Sequence, residues 1–409
     1  MADLAVVLLV VLLSESARGV VLPSLARGLL GQGCDEGTVS AAIACFSLGR
    51  LAATMPLAYV GARRGTRHVV MAAAGVSVAG HLLYAMFVGV PGRQVTIVLS
   101  RLIIGIGTGS FGACRGYIAS RTSVAERTRL VALSGMFQFA GFAIAPGFAL
   151  MFPDLESPGV VMLLLNVLVI MGALVYMPLS DPVAPSVDDT SFTSKTEAME
   201  GTTFCVFMFL NVVLRGILAD GETLIPVQHA AVFEVLDDDS EIEDCANFFF
   251  VLGIFGSICF LAIDPVIRRS GLSELAVFIF GILMVALGGI FLIDPVHGKS
   301  TKLFTVGAAL IWCLGSPITQ TFTISLYSKL LGTKPQTIAL GWLTTAGSIG
   351  RIVFPIGALR LTSIELWTTN AALCILCIVL LFILYCKVPT ERSPKPLLVG
   401  AFETTPLLR

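Results

Sequence analysis

Apolar runs of helix length follow one another almost end to end along this chain, each closed by a short polar or basic break. A membrane-spanning helix needs about 20 apolar residues. On that measure the runs read as twelve spans, at roughly 4–30, 38–61, 68–90, 95–118, 130–152, 160–178, 203–228, 246–264, 273–294, 302–326, 337–359 and 365–387, with ends good to several residues. A stretch rich in Pro, Ser, Thr and Asp, from Asp181 to Gly201, divides them six and six. The expectation is an all-α polytopic membrane protein of two pseudo-symmetric six-helix bundles, residues 1–180 and 203–387, with a cytosolic linker at 181–202 and a tail at 388–409. The opening run, Met1 to Leu13, is similar to a signal-peptide core. Asp3 is its only charge and the apolar pattern resumes after Arg18, so it reads as a first transmembrane helix.

Composition supports the membrane reading. Of 409 residues 56% are hydrophobic and 13% charged, with a mean hydropathy of +0.91, too few charges to solvate a globule of this length. A net charge of −1 gives no footprint for nucleic acid. The sign of the loops says more. Arg63, Arg64 and Arg67, then Arg121, Arg127 and Arg129, Arg268 and Arg269, Lys329 and Lys334, and Lys387, Arg392 and Lys395 fall on one side; Asp35, Glu36, Asp154 and Glu156 fall on the other. The positive-inside rule then puts both termini in the cytosol. The acidic run Glu234, Asp237, Asp238, Asp239, Glu241, Glu243 and Asp244 lacks the glycine and ligand spacing of a calcium loop and reads as a solvated loop. Ten cysteines form no disulfide framework, although Cys34 and Cys245 share a side and are free to pair; Cys374 and Cys377 sit inside an apolar run with no second pair to make a metal site. His81, His229 and His297 are far apart, no cofactor is implied, and no nucleophile with its base or phosphate loop stands out.

The halves echo each other. Gly141, Pro146, Ala149 and Leu150 in the fifth span match Gly350, Pro355, Ala358 and Leu359 in the eleventh, and Tyr117 and Tyr327 close the fourth and tenth. Repeat-built transporters carry such symmetry. The six-plus-six layout, with Arg101 followed by Gly105, Gly107 and Gly109, resembles the major facilitator superfamily and its fourth-helix signature. Loop 2–3 keeps Gly61, Arg63, Arg64 and Arg67 of that family's signature without its acidic residue, while Asp264, Arg268, Arg269 and Gly271 keep the acidic-then-basic pattern. Ala145 stands where the antiporter-type fifth-helix motif has glycine. Three blocks, Ser47 to Arg50, Arg115 to Thr128, and Leu326 to Gln336 with Gly341-Trp342-Leu-Thr, resemble the lysosomal members of the superfamily and the vacuolar phosphate carriers that bear an SPX domain; no SPX-like segment precedes the first span.

Six charges lie where lipid disfavours them: Glu15 and Arg18 in the first span, Arg50 in the second, Arg115 in the fourth, Glu222 (with Asp220) in the seventh, and Arg351 in the eleventh. A charge kept at a helix centre costs about 2.5–3.5 kcal/mol on insertion scales and marks a candidate site. The resemblance implies that spans one, four, seven and ten line a central cavity with two and eleven beside them, and that Arg115, Glu222 and Arg351 are shared with the lysosomal branch. Four arginines against one or two carboxylates suit an anion, and Glu222 or Glu15 is placed to carry a proton. A structural role is the alternative: Glu15–Arg18 as an internal pair, Arg115 as a clamp at the cytosolic rim, and Arg101 as a helix-end residue. Glu403, Leu407 and Leu408 have acidic-dileucine spacing and would recruit sorting adaptors. The expected function is an endolysosomal or vacuolar carrier of a small anion, coupled to protons; an anion channel of the same fold and a non-transporting sensor or scaffold remain open.

Overall fold

The breaks between apolar runs reappear as helix ends. A computed structural model describes residues 2–20, 29, 36–123, 126–150, 156–179, 181, 195–233, 238–293, 300–332, 336–358 and 360–387. Among them no strand occurs. In chain order the helices are α1 (Ala2–Gly19), α2 (Glu36–Arg64), α3 (Thr66–Phe87), α4 (Gln94–Gly107), α5 (Phe111–Ser120), α6 (Arg127–Leu150) and α7 (Ser157–Tyr176). They continue with α8 (Lys195–Phe233), α9 (Asp238–Ser270), α10 (Glu274–Phe291), α11 (Thr301–Ala309), α12 (Ser316–Leu331), α13 (Thr337–Ala358) and α14 (Ser363–Lys387). A 3-10 turn, Thr108–Ser110, joins α4 to α5, and a π-helical segment, Leu310–Gly315, joins α11 to α12. Counting each of these joined pairs as one, 10 helices among the described residues are long and apolar enough to cross a membrane. α1 and α6 stand outside that set; three of the 18 residues of α1, Asp3, Glu15 and Arg18, are charged.

Two boundaries differ from the sequence reading. α8 starts at Lys195, inside the stretch taken as linker, where Lys195 to Glu200 is rich in strong helix formers. α9 starts at Asp238, so Asp238, Asp239, Glu241, Glu243 and Asp244 lie on helix rather than in a loop. Carboxylates are favoured there, because the first turns of a helix carry the positive end of its dipole. Of the span expected at 4–30, α1 accounts for the part to Gly19; residues 21–28, most of the linker (182–194) and the tail lie outside the described residues.

Small residues bring the backbones together. A side chain at Gly105 would strike the Phe46 carbonyl of α2, and one at Gly107 would come within 2.7 Å of the Ala73 carbonyl of α3, so the arginine–glycine signature is a packing seam. Gly141 of α6 rides against the Leu12 carbonyl of α1, and Gly350 of α13 against the Val212 carbonyl of α8. Buried apolar residues form two clusters. One runs from Val6 to Met177; the other runs mainly from Val206 to Leu384, with Ala119, Val131 and Phe139 reaching into it.

The outer surface is apolar too. Leu164, Leu168, Met171 and Val175 make an exposed stripe on α7, and Ile375 and Phe382 stand out on α14. Such continuous exposed apolar surface is what lipid covers and water does not. The basic ends gather on one face, where Gly65 turns the chain between α2 and α3 at φ 86. There the Thr66 N–H and hydroxyl donate to the Asp181 carboxylate at 2.8 and 2.6 Å. The acid that this loop's own sequence lacks is thus supplied from beyond α7.

Candidate functional site

Helical spacing places the polar residues. On α8, Asn211, Arg215, Leu218 and Glu222 follow at i, i+4, i+7 and i+11, one face of the helix. α13 presents Thr344, Gly347 and Arg351 in the same way, α6 presents Ser134 and Gln138, α12 presents Ser316, Thr319, Gln320 and Thr323, and α1 presents Glu15 and Arg18. These stripes meet in the middle of the molecule.

At the centre Glu15, 2% exposed, accepts from Arg50 Nη1 at 2.9 Å and from Gln138 Nε2 at 2.8 Å through the same oxygen. Its other oxygen faces Arg18 Nη1 at 3.8 Å and Arg351 Nη1 at 3.9 Å, ion-pair rather than hydrogen-bond separations. Glu222 accepts from Arg351 Nη2 at 3.4 Å and pairs directly with Arg18. Arg50 is further held by the Ser14 carbonyl (3.0 Å) and Thr108 (3.1 Å). One network therefore ties α1, α2, α8 and α13 together. Arg115 adjoins it through neutral groups, donating to Thr344 at 2.9 Å and to Gln138 at 3.3 Å, while Gln320 donates to the same Gln138 oxygen at 2.7 Å. A small recess of about 10 Å3, room for little more than one water, lies beside Arg115, Ser134, Gln138 and Gln320. A second, also of about 10 Å3, lies beside Arg215 and is likewise lined by Gln320.

Two sets of contacts bracket this polar interior. Toward the ends of α6 and α8 that lead to the acidic breaks, Phe142 lies under the Arg18 guanidinium at 4.8 Å and stacks on Trp312 at 6.3 Å, with Phe249 edge-on to Trp312 at 5.1 Å. Trp312 belongs to the π-helical segment, a distortion frequent at functional sites. Toward the basic face, Arg127 of α6 donates to the Ser328 and Gly332 carbonyls at the end of α12, both at 2.9 Å. Thr128 bonds Glu274 and Ser325 there at 2.7 Å each, and α5 meets α13 where Gly116 leaves room only for Thr337.

Of the residues singled out in the sequence, Glu15, Arg18, Arg50, Glu222 and Arg351 come together, and Arg115 points into the interior rather than to the rim. Arg101 does not join them: fully buried, it donates to the Ala17 and Arg18 carbonyls at 3.2 and 3.4 Å and clamps the end of α1. Asp220 parts from Glu222, since a two-residue step turns it to the far side of α8, where it accepts from Asn370 of α14 at 2.8 Å. His81 is buried against the Ser77 carbonyl, and His297 and the sorting residues Glu403, Leu407 and Leu408 lie outside the described residues. Sequence reasoning missed Arg215, Gln138 and Gln320. Arg215 was there to be found, lying seven residues before Glu222 on the same face; the two glutamines carry no charge to set them apart.

The family model of the Major Facilitator Superfamily matches residues 4–355. Among curated proteins, major facilitator superfamily domain-containing protein 8 of Xenopus laevis is 23% identical, over 87% of this chain and 84% of its own length. Among solved structures, the human organic anion transporter MFSD10 (TETRAN) superposes with a TM-score of 0.75 at 17% identity, covering 93% of this chain and 99% of the other. With a superfamily model running through α1 to α13 and the same fold in a solved relative, this chain belongs to the major facilitator superfamily, a family of membrane transporters.

Proposed function

We propose that this transporter carries a small anion across an endolysosomal or vacuolar membrane by alternating access, with protons coupled to the movement. The observation that carries the reading is the buried excess of guanidinium over carboxylate around Glu15 and Glu222, which favours a negative ligand between the helices. The human structural relative is described as an organic anion transporter, which agrees with it.

In this reading the chain crosses the membrane twelve times in two six-helix halves. Support comes from paired contacts: Gly141 on the Leu12 carbonyl has its counterpart in Gly350 on the Val212 carbonyl. Tyr117 bonds Asp3 of α1 as Tyr327 packs on Phe207 of α8, ring centres 5.3 Å apart. Rocking of the halves breaks the Arg18–Glu222 and Glu15–Arg351 bridges between them, and opens either the aromatic layer or the Arg127 clamp. Protonation of Glu222 releases Arg18 and Arg351 together, freeing two cations for substrate. Glu403, Leu407 and Leu408 then route the protein to its compartment by adaptor binding.

The test is uptake into proteoliposomes of labelled chloride, phosphate and small carboxylates, with and without an inward proton gradient. Saturable uptake of an anion, quickened by the gradient, is expected. Arg351→Ala abolishes it, and Glu222→Gln leaves a residual rate that no longer responds to pH. Fast, non-saturating chloride flux would instead establish a channel.

A further inference from the structure

Arg215 is 8% exposed and, unlike the other central arginines, makes no hydrogen bond or ion pair among the described residues. Arg351 and Arg115, of its own sign, and Glu15 and Glu222, of the opposite sign, are the charges around it. An arginine does not escape by losing its proton, and a buried cation with no partner is costly. Solvent in its recess, or an anion that displaces that solvent, must answer it. Its recess is lined by the polar Asn211, Ser316, Thr319, Gln320 and Thr323, with Leu214 and Leu218 beside them.

The charge count narrows the ligand. Five guanidiniums (Arg18, Arg50, Arg115, Arg215 and Arg351) face two carboxylates, Glu15 and Glu222, an excess of three. Arg18, Arg50 and Arg351 share those two carboxylates, whereas Arg115 and Arg215 touch none. Gln320 lines the recesses beside both Arg115 and Arg215.

We infer that the Arg215 recess, with Arg115 across Gln320, is the anion-binding position, and that it selects anions carrying two or more negative charges over monovalent ones. A monovalent ion neutralises one of the two unmatched guanidiniums and leaves the other buried and unanswered; a divalent one satisfies both. This rests on the anion reading above and sharpens it to a substrate class.

The experiment is binding of labelled sulfate to the purified full-length protein, with unlabelled succinate, chloride and acetate as competitors, in wild type, Arg215→Gln and Arg215→Lys. A charge-assisted hydrogen bond contributes on the order of tenfold in affinity. Sulfate and succinate are therefore expected to bind about tenfold or more tightly than chloride and acetate. Arg215→Gln erases that preference, Arg215→Lys keeps part of it, and the thermal midpoint of ligand-free Arg215→Gln stays level or rises because an unanswered charge has gone. Chloride or acetate competing as well as the divalent ions, or an unchanged preference in Arg215→Gln, overturns the inference and leaves the anion reading standing. No binding by any of the four anions overturns both, and a fall in the Arg215→Gln midpoint with selectivity intact assigns Arg215 a structural role instead.

Discussion

At the scale of single residues, the central pairs behave as a unit because each carboxylate serves more than one arginine. Glu15 is the deepest member, and removing it leaves Arg50 without a carboxylate, held by the Ser14 carbonyl, Thr108 and the rings of Phe46 and Phe111. Breaking one side of a buried pair costs about 3–5 kcal/mol, whereas replacing both sides with apolar groups is often neutral. Glu15→Ala is therefore expected to lower the thermal midpoint of detergent-purified protein sharply. Adding Arg50→Met to that variant should recover part of the loss; a further fall in the double variant would show that the two residues do not act together. Charges in apolar runs were legible from sequence because lipid makes them conspicuous. Asp220 and Arg101 were equally conspicuous, yet they serve packing, and only helix rotation or a contact distinguishes them. Gln138, which joins Glu15, Arg115 and Gln320, is an uncharged residue whose position in the network exists only in three dimensions.

At the scale of elements, helix positions were readable because hydropathy sets them, and helix ends were less so. The N-terminal extensions of α8 and α9 are built from polar residues that hydropathy excludes but helix propensity and the dipole favour. The glycine seams make the sharpest prediction at this scale. Gly141→Leu and Gly350→Leu each drive a side chain into a facing carbonyl, and both should abolish folded, monodisperse protein on size-exclusion chromatography. Gly75→Leu, with nothing within 4 Å of the new carbon, should be tolerated. If the two seam variants run like wild type, these close approaches do not hold the helices. The π-helical segment was invisible in the sequence: Leu310–Gly315 is apolar throughout, and its register shift is set by the packing of Trp312 against Phe139, Phe142 and Phe249.

At the scale of the whole molecule, a polar interior sits between an aromatic layer and a polar clamp, inside a surface that remains apolar. Superfamily membership followed from motifs spread along the chain, and the matching model covers nearly the same stretch. The proposed compartment rests on the tail signal together with the resemblance to lysosomal members: Leu407→Ala with Leu408→Ala is expected to shift the protein to the cell surface in imaging and surface biotinylation, and an unchanged location would remove that signal from the account. The central claim is that this polar interior is the occluded site of an anion carrier. Counterflow tests it most directly: proteoliposomes are loaded with an unlabelled anion, diluted into a trace of the same labelled anion, and followed over time. Alternating access predicts a transient accumulation of label above equilibrium, present in wild type and absent in Arg351→Ala. A monotonic approach to equilibrium, or no protein-dependent entry of any anion tested, would contradict it.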